Sequence, residues 1–402
     1  MKIAIVSFYL MESTMPLAKH IAEAGVDVDL YCLLPKCNQN TFVFDFLSKK
    51  QPCGFVGKEI IKKSWGKKLW DYISPVETKI YIFPTERIAK LLFLDVYHAY
   101  KFANHIRKEK YDLVHIIHSS TPFWNYLYFF IGKKRIVQTL HEVTSHEATT
   151  PKYRIKLLNY LIKNSIPIIF NSAISKQRFL DFKSGVISQT NDNTNLAMIR
   201  FGLFETYYCF NTHAVEIRNS DKIKILNLGR IVPYKGIHLL IQSVKNLQEK
   251  LPIHLIVAGE GEPYFDFNGI KSYEFINRFC SNEEITKLIK ECDFLVLPYI
   301  SGSQSGVPMT AFAFNKPIIA SNIAGFKEVI ENMKTGILVD NLNAENLSSA
   351  IETLATNKKL RINMAENIIK KYSEGEFSWK SIAEQTIAFY RQQIELRKIK
   401  KR

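Results

Sequence analysis

Apolar and polar positions along the chain fall into two successive series of short β-branched runs separated by stretches of helical spacing. Ile3 to Ser7 is almost continuously apolar, as a strand buried on both faces is. Met15 to Ala24 has helical spacing, Gly25 punctuates it, and Val28 to Cys32 is the next run, which makes a βαβ opening. Tyr111 to His115, Arg135 to Leu140 and Ile166 to Asn171 continue the series, with Ser175 as the expected N-cap of the helix after the last, and Met198 to Gly202 leads out. The polar, aperiodic segment Thr206 to Asp221 reads as a linker. The second series runs Lys224 to Leu228, an apolar helix through Val244, Ile253 to Ala258, Glu274 to Asn277, a helix over Glu283 to Glu291, then Phe294 to Leu297 closed by Pro298. A helix over Met309 to Phe314 and a strand over Ile318 to Ala320 follow. Repeated strand–loop–helix units predict an α/β chain with parallel sheets in two Rossmann-like domains, 1–205 and 206–379.

Length agrees with this division, since 402 residues exceed one ordinary core. Charge adds a direction. Lys and Arg number 54 against 38 Asp and Glu, a net charge of +16, so the expected partners are anionic: phosphorylated small molecules, acidic lipid headgroups or nucleic acid. Cys32, Cys37, Cys53, Cys209, Cys280 and Cys292 form no CxxC pair and read as free thiols in a reducing compartment, with no metal expected. The opening MKIAIVSFYL is followed by no small-residue cleavage site and reads as a first strand rather than a leader. No uninterrupted apolar stretch reaches the roughly 18 residues of a bilayer span.

Candidate chemistry sits where strands end. The loop after the first strand, Phe8 to Ser13, lacks the G-x-G-x-x-G of dinucleotide binders. His118 and Ser119 follow one strand and His141 follows another, and a histidine there can donate to a sugar hydroxyl or a leaving oxygen; a structural role is the alternative for each. Arg230 and Lys235 flank the turn GRIVPYKG, where two cations can neutralise a diphosphate, although such a turn can also be merely solvated. Ser301 to Gly306 is a small-residue loop before a helix, suited to a phosphate or to plain capping. Two stretches mix basic with apolar or aromatic residues, Lys62 to Tyr72 with Trp65 and Trp70, and Lys152 to Lys163. The first fits a membrane interface, single-stranded nucleic acid or tryptophans folded back on the protein; the second fits a membrane-surface helix or an ordinary amphipathic one.

The order of motifs over Ile223 to Val339 resembles the family 4 glycosyltransferases, whose GT-B fold is two Rossmann-like domains with parallel sheets facing across a cleft. The resemblance is carried by NLGRIVPYKGIHLLIQSV, VAGEGEP, NEEITKLIKECDFLVLPY, QSGVPMTAFAFNKPIIAS and IAGFKEVIENMKTGILV. The closing FSWKSIAEQTIAFY looks like the family's last helices, which implies that 380–402 packs back on the N-terminal domain. QTLHEVTSHE resembles the family's strand-end histidine and maps it onto His141. The resemblance implies Arg230, Lys235 and His141 as catalytic, and Gly229, Gly261, Arg278, Gln304, Ser305, Gly306 and Thr310 as donor-binding. It leaves His118 and Ser119 on the acceptor side. One departure stands out: where most members carry two glutamates around the loop and helix, this chain has Gln304 and, near the second, Thr310 or Ala311.

The expected activity is metal-free, cofactor-free and retaining transfer of a sugar from a nucleotide diphosphate-sugar to a hydroxyl acceptor. That acceptor is expected to be a saccharide or lipid-linked oligosaccharide in surface-polysaccharide synthesis, on the cytoplasmic face of an anionic membrane that the protein touches without crossing. Three rivals share some of these features. A GT-B epimerase needs carboxylates at the sugar that Gln304 and Thr310 do not supply, a silent binding module would explain the missing glutamates, and a nucleic-acid binder lacks any RRM, KH or zinc pattern.

Overall fold

The computed structural model describes residues 1–8, 10–36, 51–84, 92–117, 123–141, 143, 152–186, 194–210, 222–302 and 305–399. The chain forms two compact units, Met1–Phe201 with Trp379–Arg402, and Gly202–Ser378. The first contains β1 (Lys2–Ser7), α1 (Met11–Glu23), β2 (Asp27–Pro35), β3 (Gly54–Phe55), α2 (Lys58–Tyr72), β4 (Glu77–Phe83), α3 (Leu92–Lys108), β5 (Leu113–Ile117), α4 (Phe123–Ile131), β6 (Ile136–Leu140), α5 (Lys152–Lys163), β7 (Ile168–Phe170), α6 (Ala173–Ser184) and β8 (Leu196–Met198). Its strands lie in the order β3-β4-β2-β1-β5-β6-β7-β8, parallel except for β3 against β4. Helices cover both faces, which is why β1 and β5 are buried almost throughout and read as unbroken apolar runs.

The second unit contains β9 (Ile223–Leu228), α7 (Ile237–Leu247), β10 (Ile253–Gly259), β11 (Tyr273–Asn277), α8 (Asn282–Glu291), β12 (Phe294–Leu297), α9 (Val307–Ala313), β13 (Ile318–Ser321), α10 (Ala324–Lys327), β14 (Gly336–Val339), α11 (Ala344–Thr356) and α12 (Lys358–Ile368). Its six parallel strands run β11-β10-β9-β12-β13-β14. That is the doubly wound order, and the chain reverses direction between β9 and β12. Loops leaving the carboxyl ends of those two strands diverge to opposite faces and leave a crevice.

The last helix, α13 (Trp379–Ile399), belongs to the first unit and packs along α1, where Trp379 stacks on His20 with ring centroids 6.4 Å apart. Its Tyr390 hydroxyl bonds His115 Nδ1 at 2.6 Å, and His115 Nε2 meets Thr139 Oγ1 at 2.6 Å. Burial pushes the His115 imidazole down to about 3, so it is neutral at ordinary pH, and two hydroxyls, each able to donate or accept, satisfy either tautomer.

Several local expectations change. Ser172, not Ser175, caps α6: its Oγ accepts from Ser175 N at 3.1 Å, which frees the Ser175 hydroxyl to donate to the His141 carbonyl at 2.5 Å. The Lys62–Tyr72 stretch is helical, kinked at Gly66, and Ile61, Trp65 and Leu69 recur at four-residue spacing on its buried face. Trp65 is therefore a core side chain and not a surface anchor. In α5 the apolar positions Leu157, Leu158, Leu161 and Ile162 are core residues as well. Large aromatics are exposed elsewhere: Phe93, Tyr97 and Tyr100 on α3, and Phe129 on α4, which is 76% exposed. Tyr100 lies 5.5 Å from Phe130, and Phe130 lies 5.4 Å from Phe129, so the rings form one strip. No described helix is long and apolar enough to cross a membrane.

The Tyr390–His115 bond ties α13 to the sheet across 275 residues of sequence. Tyr390→Phe leaves a buried ring nitrogen unpaired and should cost about 1–3 kcal/mol of unfolding free energy. Denaturant unfolding checks this. The loss should be the same at pH 6 and pH 8, because His115 does not titrate between them.

Candidate active site

In the second unit the turn after β9 and the loop after β12 meet at the crevice. Gly229 ends β9 with φ 124°, and a Cβ there would collide with the Lys235 ammonium. Lys235 closes the short 3-10 turn Pro233–Lys235 and runs back under Gly229, leaving only 7% of its surface exposed. Gly236 follows with φ 66°, and its missing Cβ lets the Pro298 carbonyl approach. Ile300 N donates to the Tyr234 carbonyl at 2.7 Å, and Ser321 Oγ donates to the Tyr299 carbonyl at 2.5 Å, so the two loops are tied together.

Lys235 Nζ lies 4.9 Å from the centre of the buried Tyr299 ring, whose hydroxyl contacts Ser305 Oγ at 3.4 Å. Neither the Lys235 side chain nor that of the exposed Arg230 makes an ion pair or hydrogen bond among the described residues. Burial pushes the Lys235 ammonium down to about 8; the Arg230 charge adds to this and Tyr234 opposes it. A desolvated lysine without a counter-charge, beside an arginine, is a site waiting for an anion. The loops after β9 and β10 also join, with Gly229 N donating to Ala258 O and Ile231 N to Glu260 O, both at 2.9 Å. An open groove of about 640 Å³ results, lined by Arg230, Glu260, Gly261, Glu262 and Tyr264.

The other donor-side residues are placed unevenly. Gly306 precedes α9 without a side-chain cap and lies against the Phe204 ring, while Val307 N donates to Ser305 Oγ at 3.4 Å. Thr310 is buried, and its hydroxyl donates to Gly306 O at 3.3 Å within its own helix. Arg278 is exposed and forked onto Glu284, with contacts of 2.9 and 2.6 Å. Glu284 is held down to about 2 by Arg278 and by the Ser281 backbone, with which it forms the capping box of α8. Gln304, His118 and Ser119 lie outside the described residues.

In the first unit, His141 stands at the carboxyl end of β6, its ring stacked on Phe201 at 5.0 Å and 14°. It lines a small cavity of about 30 Å³ with Ser13, Thr14, His115, Thr139 and Arg200. Glu12, in the first turn of α1, was not singled out from the sequence. Its Oε2 is buried and unbonded among the described residues, and burial pushes the carboxyl up to about 7 against a lowering backbone hydrogen bond. The only sequence signal was a lone acid in the loop that leaves the first strand.

A parallel-sheet unit with doubly wound order and an unpaired lysine at its switch point, joined to a second Rossmann-like unit, defines a GT-B architecture. Residues 210–371 match the model of the glycosyl transferases group 1, and residues 13–185 that of glycosyltransferase family 4. The chain belongs to the family 4 glycosyltransferases. An uncharacterised glycosyltransferase, MJ1607, of Methanocaldococcus jannaschii is 25% identical over 46% of this chain and 48% of its own length. The N,N'-diacetylbacillosaminyl-diphospho-undecaprenol alpha-1,3-N-acetylgalactosaminyltransferase of Campylobacter jejuni is 31% identical over 37% of this chain and 40% of that protein. The chain thus spans about half the length of the curated relatives it matches. The fold resembles that of Anabaena Alr3699/HepE, solved in complex with UDP and glucose, with a TM-score of 0.66 at 15% identity over 96% of this chain and 98% of that one.

A carboxyl raised to about 7 favours the folded state fully below its ordinary value near pH 4.5, and that stability is lost as pH rises through 7. Glu12→Gln should therefore gain on the wild type between pH 5 and pH 8, by about 2 kcal/mol at the upper end. Denaturant midpoints at both pH values check this, and a difference that does not change with pH would contradict it.

Proposed function

We propose that this chain moves a sugar from a nucleoside diphosphate-sugar to a hydroxyl acceptor, with retention of anomeric configuration and without a metal. The observation that carries the reading is the pair Arg230 and Lys235 at the β9–β12 switch point, which forms no ion pair among the described residues. In such a transfer the bond from the anomeric carbon to the diphosphate breaks and a new one to the acceptor oxygen forms. The hydroxyl proton leaves with the diphosphate or to water, and negative charge grows on the diphosphate. Two fixed cations, one of them desolvated, stabilise that charge in the role a divalent ion would otherwise fill. Family membership supports the retaining outcome, and the resemblance of QTLHEVTSHE to the family's strand-end histidine supports a place for His141 at the donor sugar. Gly229, Gly261, Ser305 and Gly306 supply close backbone approach, while Arg278, paired to Glu284 of α8, and Thr310, bonded within α9, act as supports.

A lipid-linked saccharide acceptor in surface-polysaccharide synthesis is part of the same reading, supported by the name of the Campylobacter relative. The strip formed by Tyr100, Phe129 and Phe130, with Phe93 and Tyr97 exposed on the same helix, and the +16 charge support docking to an anionic membrane from the cytoplasmic side.

Arg230→Ala and Lys235→Ala, well folded, should each lower turnover by about 10²-fold or more, measured as nucleoside diphosphate released on addition of a lipid-linked acceptor. Unchanged turnover would contradict the assignment, and release indifferent to acceptor would contradict transfer. Because the free Lys235 ammonium is lost as pH rises through about 8, nucleoside diphosphate affinity should fall above that pH, and Lys235→Arg should shift the fall upward.

Docking is checked by co-sedimentation. Binding should require anionic vesicles, weaken with salt and drop in Phe93→Ser/Phe129→Ser, while Trp65→Phe should leave it unchanged. No pelleting at low salt would remove the membrane part and leave the transfer reading intact.

A further inference from the structure

We propose that the first unit carries a second anion site, at the amino ends of β6, β7 and β8, built for a small phosphate-bearing anion. A cavity of about 340 Å³ opens there. Its wall comes from Lys133 before β6, the turn Asn164 to Pro167 before β7, Thr194 and Asn195 before β8, and Gln393 and Arg397 near the end of α13. This is the opposite edge of the sheet from His141, which follows the carboxyl end of β6.

Lys133, Lys183 and Arg397 line the cavity, and among the described residues no Asp or Glu does. Arg397 Nη2 donates to the Ile136 carbonyl at 3.1 Å, whereas Nη1 is buried with no partner among the described residues. A guanidinium taken partly out of water with half its fork unbonded carries a desolvation cost that the bond from Nη2 offsets only in part among the described residues. Burial pushes it down to about 10, which still leaves it charged at neutral pH. Lys133 Nζ donates to the side-chain amide oxygen of Asn164 at 3.0 Å, a partner that carries no counter-charge.

The carboxyl ends of α5 and α6 also point to this edge, and their partial negative charge explains some of the basic side chains. Those carbonyls leave Nη1 unfilled. Phosphate oxygens match an arginine guanidinium, Lys133 adds a second cation, and the cavity lies in the size range of small-ligand sites. The apolar wall of Leu161, Phe179 and Leu396 leaves room for an organic group on the phosphate. A soluble phosphate ester and a lipid headgroup share this chemistry.

The test uses the full chain in phosphate-free and sulfate-free buffer, titrated with inorganic phosphate and separately with dispersed dioctanoyl phosphatidic acid, read by calorimetry. Arg230→Ala silences the anion site of the second unit and serves as the background. At least one probe should bind saturably there, and adding Arg397→Gln should weaken it about 10-fold or more, with Arg397→Lys intermediate. Binding of both probes points to a soluble phosphate source, and binding of phosphatidic acid alone to a lipid. If Arg397→Gln fails to fold, Lys133→Ala takes its place with the same expected direction. No saturable binding of either probe, or binding indifferent to both substitutions, overturns the proposal.

Discussion

One lysine ammonium, drawn beneath the end of a strand with no carboxylate to meet it among the described residues, is the constraint around which the second unit is arranged. Lys235 can lie there because Gly229 has no Cβ, because the left-handed Gly236 returns the chain past Pro298, and because the Tyr299 ring gives the charge a polarisable wall. The ring offsets part of the cost of burying the cation but supplies no counter-charge. Burial lowers its proton affinity, and the neighbouring Arg230 lowers it further. An arrangement that spends stability on an unpaired charge is explained when an anionic group completes it.

The position of that charge follows from topology. Only between β9 and β12 do successive loops leave the sheet toward opposite faces, and both loops that hold Lys235 start there. The first unit uses the same βαβ logic for a different purpose. Its strand ends carry His141 and Glu12 rather than a cation pair, and its C-terminal helix is fastened by Tyr390 to a histidine kept neutral by burial. In the proposed function the cations for a diphosphate come from the second unit.

Much of this was legible from residue order. Buried parallel strands announce themselves as apolar runs, and GR-x4-KG placed two cations at one turn before any coordinate was known. What the pattern does not contain is which of the two goes inside; that depends on the φ of Gly229 and on Tyr299, which lies 64 positions after Lys235. The Lys/Trp stretch misled because composition carries no phase: once α2 forms, its period sends Trp65 inward and leaves the exposed aromatics to α3 and α4. Arg278 has the charge of a donor ligand, but Glu284 six residues on, itself fixed by the capping box of α8, claims it as an ion pair. The Tyr390–His115 bond was invisible because nothing local marks either partner.

The central claim, that Lys235 is an unpaired cation completed by a diphosphate, is tested most directly by its own titration. With Lys side chains isotopically labelled and Lys235→Arg used to assign the signal, NMR follows the ammonium with and without whichever of UDP, GDP or ADP stabilises the protein most. The account predicts a midpoint near 8 for the free protein and a clear rise with nucleotide bound, since an adjacent diphosphate favours the charged form. An ordinary lysine midpoint in the free protein, or one unmoved by a bound nucleotide, would contradict it.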